Sequence, residues 1–440
     1  MTEAVDAETT FQEVQSVVKS LSPDVAEALR EIVAHAANPA RVGSAVSRLV
    51  AGVTRTNNHG LDLERTKGGL ITPTISNVAE ILSKADWTGV IARNALTGDV
   101  ECRIPPPIGG PARVWGDADD VLTRQWIERK HGLSLSGDRF ADGLCAVATR
   151  TEYHPVRDYL DALQWDGSTR FKRMLRILGI SSELEAKALR LWMISAVARV
   201  YDPGCKAHLL PIFHGAQGVG KSTTLQILGG PWYGSPSIDP ESKDGQIVAT
   251  RFWLTEIEEI DKEFRARSAS AWKAFVSKAD DSIRLPYARK FSHIKRTFVF
   301  AGSTNARYFL TDPTGARRYP VIHITKRIDT RELERIRDSV WGEIAYAYRS
   351  GEQWHPSSPE EGELSRASIS QHSTAFADPW ASKIVEWLHR NGITRWTVVQ
   401  ALDAIGVECR FLMPAQHERV TMIADALGWI EKDGHFVKVG

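Results

Sequence analysis

Residues Gly215-Ala216-Gln217-Gly218-Val219-Gly220-Lys221-Ser222 carry the spacing G-x-x-x-x-G-K-S, with Thr223 following. A backbone that curls through three glycines turns successive N–H groups toward one anion, at the positive end of the helix that begins there. A lysine in the seventh place reaches the β- and γ-phosphates, and a serine hydroxyl in the eighth can ligate Mg²⁺. The pattern predicts a triphosphate cradle over 215–223, with ATP and Mg²⁺ as its ligands. A chance glycine-rich turn would share the composition but not the flanks. Apolar Leu209 to Phe213 reads as a strand, and Thr223 to Leu228 as an apolar-periodic helix.

Hydrolysis needs more than a cradle: an acid at the metal, a group that activates water, and a charge for the transition state. The run Phe252-Trp253-Leu254-Thr255 ends in Glu256-Ile257-Glu258-Glu259. Glu256 is expected beside Ser222 at the metal, and Glu259 or Glu258 as the base. The same acids would also suit a solvated helix start. A second apolar run, Phe298 to Thr304, ends at Asn305, placed either to hydrogen-bond the γ-phosphate or to make a turn. Arg317 and Arg318 follow Gly315; they can reach a neighbouring subunit's nucleotide as a finger, or pair with Asp312. Residues 282–296 are basic and hold no acid. Folded as a hairpin they put Arg289 and Lys290 at a tip, with His293 and Lys295 below, suited to a DNA phosphate backbone. A charged edge hairpin that resists aggregation has the same residues.

These residues need a scaffold, and 440 residues are enough for about three domains. The net charge of +1 identifies no partner. Cys102, Cys145, Cys205 and Cys409 make no C-x-x-C pair, which argues against a cysteine zinc site or a disulfide framework and for reduced thiols in a cytoplasm. No apolar run approaches the roughly 18–20 residues of a membrane span, and the acidic start lacks an export pattern.

Helical spacing occupies 11–35 and 41–53. A mixed stretch over 70–107 has a helix at Ile75 to Leu82 and strands near Gly89–Ile91 and Val100–Ile104. Helices follow at Asp119 to Lys130, at Asp138 to Arg150 with Asp138 as cap, from His154 until Trp165-Asp166-Gly167, and at Ser182 to Tyr201. Beyond the cradle, Pro231 to Pro240 reads as a loop ending in a short strand, and strands and helices then alternate to Ile324, with Phe264 to Lys278 helical. That order predicts a parallel three-layer α/β core. A helix over 331–350 precedes Ser357 to Gly362, a solvated linker by composition. Helical patterns at 380–391, 395–405 and 415–427, with a hairpin turned by Asp433-Gly434, suggest a winged helix. The expected domains are 1–110, 111–200, 201–355 and 378–440.

The order of these motifs resembles the virulence-associated protein E family of phage and mobile-island ATPases, which are related to superfamily 3 helicases. Tyr153-His154-Pro155-Val156-Arg157-Asp158-Tyr159-Leu160 and Trp165-Asp166-Gly167 stand ahead of the cradle as in that family. Glu256-x-x-Glu259, Arg284-x-Pro286-Tyr287, Ala301-Gly302-Ser303-Thr304-Asn305 and Asp312-x-x-Gly315-x-Arg317-Arg318 follow it. One departure is Glu258, where relatives carry a small residue. The resemblance implies an AAA+-like P-loop NTPase core and a hexameric ring. Arg289 and Lys290 would face single-stranded or forked DNA in the channel, with Arg317 or Arg318 crossing to the next subunit. It further implies a helical collar packed through Tyr153–Tyr159 and Trp165. No fused primase is visible, so a separate primase would supply priming. The activity implied is a DNA helicase or translocase in replication of a phage, plasmid or genomic island. Two other readings use the same residues: an ATPase that remodels or loads a partner or acts in phage interference, and an origin-binding module with a structural nucleotide site.

Overall fold

The computed structural model describes residues 60–264, 269–283, 292–310, 313–408 and 411–438. The expected helices at 11–35 and 41–53 lie outside them. Contacts divide the chain at Tyr153/His154 into two compact units, a boundary that falls inside the expected 111–200 domain.

The first unit contains α1 (Ile75–Ser83), a three-stranded antiparallel sheet of β1 (Ile91–Arg93), β2 (Val100–Cys102) and β3 (Arg113–Val114), then α2 (Asp117–His131) and α3 (Gly137–Arg150). Thr74 starts α1 by accepting from the Asn77 N–H. The apolar faces of α1 and α3 close on Trp87, Trp115 and Phe140. The cap of α3 is Ser136, not Asp138, and Gly137 is already helical. Asp138 instead takes a first-turn place, where an acid suits the helix dipole.

The second unit begins with α4 (Pro155–Ala162), α5 (Arg170–Leu178) and α6 (Glu183–Tyr201). Trp165-Asp166-Gly167 is the turn between α4 and α5 rather than a helix end; α5 was not anticipated. Helix α6 is buried over most of its length, and it binds the sheet through polar edges as well as apolar ones. Trp192 Nε1 donates to the Phe300 carbonyl at 2.8 Å, and Trp253 Nε1 to the Ala196 carbonyl at 2.9 Å.

After α6 come β4 (Ile212–His214), α7 (Lys221–Gly229), β5 (Tyr233–Gly234), α8 (Lys243–Ala249), β6 (Leu254–Ile257), α9 (Ile260–Glu263) and α10 (Ala269–Val276). The short strand of 231–240 thus opens that stretch instead of closing it. Next are β7 (Asp280–Ile283), β8 (Ser292–Lys295), β9 (Val299–Thr304), β10 (Val321–His323), α11 (Thr330–Arg349) and α12 (Ser358–His372). Strands β10-β4-β9-β6-β5 form one sheet in that order, every pair parallel. Strand β9 lies at the centre and is buried at all its positions, as a strand covered on both faces must be.

Ser357 to Gly362 is not a linker. It opens α12, with the Ser357 N–H donating to Glu360 Oε2 at 2.7 Å and Pro359 in the first turn. The remaining elements are α13 (Pro379–Asn391), β11 (Arg395–Trp396), α14 (Val398–Ala404), α15 (Pro414–Ala426), β12 (Trp429–Lys432) and β13 (His435–Lys438). Arg395 and Trp396 are strand rather than helix: they add a third strand to the expected hairpin, in the order β11-β13-β12. Trp396 faces Phe436 across that sheet, its ring centroid 4.4 Å away.

Candidate functional site

In a parallel sheet all strands deliver their C-terminal ends to one edge, and that topology assembles the site. Cradle 215–222 leaves β4 between the ends of its two neighbours. The Gly215 N–H donates to the Thr304 carbonyl at the end of β9, and the Ile324 N–H just past β10 donates to the His214 carbonyl. At Gly215 the approach is too close for a side chain, since a Cβ would lie 2.5 Å from the Ile324 carbonyl oxygen. Gly220 takes φ +101 as the residue before α7, a left-handed conformation that glycine adopts without strain. The loop ends in the first turn of α7, whose leading N–H groups have no partner within the helix.

Lys221 folds back over this loop, donating to the Gly215 and Ala216 carbonyls at 2.8 and 2.9 Å. Partial burial lowers its pKa, against the opposing pull of Glu256. An anion in the cradle would replace those two carbonyls as partners of the ammonium.

Ser222 and Glu256, the two expected metal-side residues, are brought together. Ser222 Oγ donates to Glu256 Oε1 at 2.7 Å, linking α7 to the end of β6. Glu256 is fully buried, and its other oxygen accepts from the Tyr233 hydroxyl at 2.6 Å. Burial and that carboxylate push the Tyr233 hydroxyl well above its ordinary pKa, so it stays a donor. The composition of 231–240 gave no sign of this tyrosine; only the pairing of β5 beside β6 places it there.

Glu258 and Glu259 are exposed beyond the strand end. Glu259 adopts φ 47, a left-handed conformation unusual for a residue with a side chain, and it pairs with Lys262. Asn305 follows β9 directly, exposed on the same edge of the sheet. Thr304 before it bonds Asp261, a carboxylate the sequence did not single out.

Arg317 and Arg318 stand elsewhere. They end a 3-10 turn (Pro313–Arg318) that feeds the start of β10, whereas the cradle follows the end of β4. Val321 lies beside Ile212 and His323 beside His214, so the arginines sit at the opposite edge of the sheet. At about 3.3 Å per residue, the separation from the cradle is roughly 15–20 Å. Within the chain Arg317 pairs with Glu361 at 3.1 Å, and Arg318 Nε donates to Ser277 Oγ at 2.9 Å. Asp312, the other expected partner, lies outside the described residues.

The basic hairpin exists as β7 paired antiparallel with β8. His293 and Lys295 are exposed on β8, while Arg289 and Lys290 lie outside the described residues. Its base is clamped by Arg296, which donates to Asp281 at 2.6 and 2.8 Å and to the Phe275 carbonyl at 2.6 Å. Both charges are almost wholly buried.

Cys102, Cys145 and Cys205 are free thiols, and among the described residues no helix is long and apolar enough to cross a membrane.

Residues 160–374 match the family described as the virulence-associated protein E-like domain. No curated protein matches the chain. Among solved structures it is similar to "The A form apo structure of NrS-1 C terminal region-CTR", at 12% identity and a TM-score of 0.42, over 80% of this chain and 96% of that one. A second structure of that region, spanning 305–718, gives 10% identity and a TM-score of 0.44, over 84% and 100%.

Proposed function

We propose that this chain, whose residues 160–374 form a virulence-associated protein E-like domain, is an ATP-dependent DNA helicase or translocase that serves replication of a phage, plasmid or genomic island. The observation that carries the reading is the 2.7 Å bond between Ser222 and the buried Glu256. A hydroxyl and a carboxylate held together at a helix N-terminus, beside a lysine, are oxygen ligands that would hold Mg²⁺, which would supply charge neutralisation for a bound triphosphate.

In this reading ATP lies on the α7 N-terminus, with Lys221 turned from its loop carbonyls onto the phosphates. Ser222 and Glu256 would hold the metal, and Tyr233, donating to Glu256 Oε2, fixes the carboxylate. Glu259, with Glu258 as its rival, receives the proton of the attacking water, and Asn305 orients that water or the γ-phosphate. The arginines cannot bend back to their own nucleotide across the sheet, so the transition-state charge comes from Arg317 or Arg318 of an adjacent copy in a hexameric ring. Arg289 and Lys290, with His293 and Lys295 behind them, grip one DNA strand, and the Arg296–Asp281 clamp passes motion from the core to that hairpin. The helices and three-stranded sheet at 379–438 fit a winged-helix reading, with DNA as the partner.

Strand displacement on a forked duplex tests this. Wild-type protein with Mg²⁺ and ATP should separate the strands. Arg289→Ala with Lys290→Ala should abolish separation while hydrolysis continues. Hydrolysis indifferent to single-stranded DNA, with no displacement, would replace the helicase by a remodelling ATPase.

A further inference from the structure

One residue before the cradle, three histidines from distant parts of the chain converge: His214 at the end of β4, His323 at the end of β10, and His372 at the end of α12. Each offers a ring nitrogen, and these atoms lie within 4.8 Å of one another. We infer that they form a binding site for a divalent transition-metal ion of the Zn²⁺ class, separate from any Mg²⁺ at Ser222 and Glu256.

Hydrogen bonds at the far side of two rings make the case. His372 Nδ1 lies 2.8 Å from the Arg307 carbonyl, which can only accept, so that nitrogen carries the proton. His323 Nδ1 lies 3.0 Å from Glu185 Oε1, and the other Glu185 oxygen is fixed by the His323 backbone N–H at 3.0 Å. This assigns the proton of His323 to Nδ1 as well. Both Nε2 atoms then present lone pairs, and they face each other at 2.9 Å. Two facing lone pairs repel unless a cation stands with them. A carboxylate or carbonyl behind each imidazole is also the arrangement that orients histidine ligands and raises their basicity.

Distances suit such an ion. The three ring centroids are 4.8, 5.1 and 5.5 Å apart. Imidazoles radiating from a tetrahedral ion at about 2.0–2.1 Å put their centroids about 5 Å apart, and their nitrogens about 3.3 Å. The close pair, at 2.9 Å, must open by a few tenths of an ångström, and the widest nitrogen separation, up to 4.8 Å, must close by about 1.5 Å to the tetrahedral spacing. Three imidazoles favour Zn²⁺ and its neighbours over Mg²⁺, which prefers oxygen. The fourth position opens to a cavity of about 720 Å³ that Asn305 and Gln371 also line, so water can complete the set. Bound there, the ion would join β4, β10 and α12 beside Gly215.

Full-length protein stripped by a chelator is titrated with ZnCl₂ against a colorimetric chelator, and loaded separately with Co²⁺. About one equivalent of Zn²⁺ per chain should bind, with a rise in melting temperature and the visible absorption of tetrahedral Co²⁺. His323→Gln and His372→Gln should each remove that absorption. Glu185→Gln should keep it while weakening Zn²⁺ about 10–100-fold, as a positioning residue would. Should a histidine variant misfold, X-ray absorption on the wild type decides, with three imidazole nitrogens at about 2.0 Å expected. Folded wild type that takes up no more Zn²⁺ than the variants, or an absorption edge showing oxygen ligands alone, overturns the site. The close histidine pair would then be sharing a proton.

Discussion

Glu256 and Glu259 are three positions apart and differ in nearly everything that decides a carboxylate's task. Glu256 is sealed between Ser222 and Tyr233, while Glu259 is exposed and held at φ 47. Residue types alone do not separate four consecutive positions holding three acids; burial sets Glu256 apart from Glu258 and Glu259, which are both exposed. Glu259→Gln should cut kcat for ATP about 100-fold while leaving nucleotide binding intact, as removal of a general base does. Glu259→Gly should lose the same activity yet hold or raise the melting temperature, because glycine relieves the left-handed backbone. An active Glu259→Gln enzyme would move the base to Glu258. Tyr233→Phe should weaken Mg²⁺ dependence about 10–100-fold by freeing the metal-side carboxylate, read as a shifted Mg²⁺ titration of hydrolysis.

Among the elements, the β7–β8 hairpin rests on a buried ion pair, Arg296 with Asp281. Asp281→Ala would leave the Arg296 guanidinium buried without its carboxylate, a loss of about 3–5 kcal/mol, measured by denaturant unfolding. Helix α4 has a different sensitivity. Its cap is the His154 imidazole, whose Nδ1 accepts from the Arg157 N–H at 3.3 Å and so must be unprotonated. Burial, aided by Arg157, pushes its pKa down to about 4. A folded pKa below the unfolded value near 6.5 means that the unfolded chain takes up the proton first. The contribution is therefore full above pH 6.5 and lost as pH falls toward 4. His154→Asn, which caps without titrating, should flatten part of the fall in melting temperature over that window.

The elements also mark where local sequence carried information and where it did not. Strand and helix periods placed α7, β6 and β9 within two residues and β4 within three, because their burial is local and continuous. The polarity of Ser357-Ser358-Pro359-Glu360 suggests a linker, although serine, proline and glutamate in those places are a helix start. Arg395-Trp396 became a strand only because β13 lies beside it. The three histidines, at 214, 323 and 372, share no spacing at all: parallel pairing of β4 with β10 sets His323 beside His214, and the end of α12, tied to the Phe309 and Leu310 N–H groups, brings His372 to them.

At the scale of the whole molecule, the sheet sets a geometric requirement. The cradle and the arginines occupy opposite edges of one sheet, so a chain on its own cannot complete the proposed centre. Lys221→Ala and the double variant Arg317→Ala with Arg318→Ala should each be inactive alone. Mixed, they should regain part of the hydrolysis, since a cradle from one copy meets arginines from the other. Mixtures as dead as their components would leave Arg317 to its partner Glu361.

The most direct test is the rate of Mg²⁺-dependent ATP hydrolysis by the full chain, with and without single-stranded DNA, beside Lys221→Ala and Glu256→Gln. Turnover by the wild type that rises with DNA and vanishes in both variants is the predicted result. A wild type that leaves ATP intact under every DNA condition, or variants that hydrolyse as well as it does, would contradict the account.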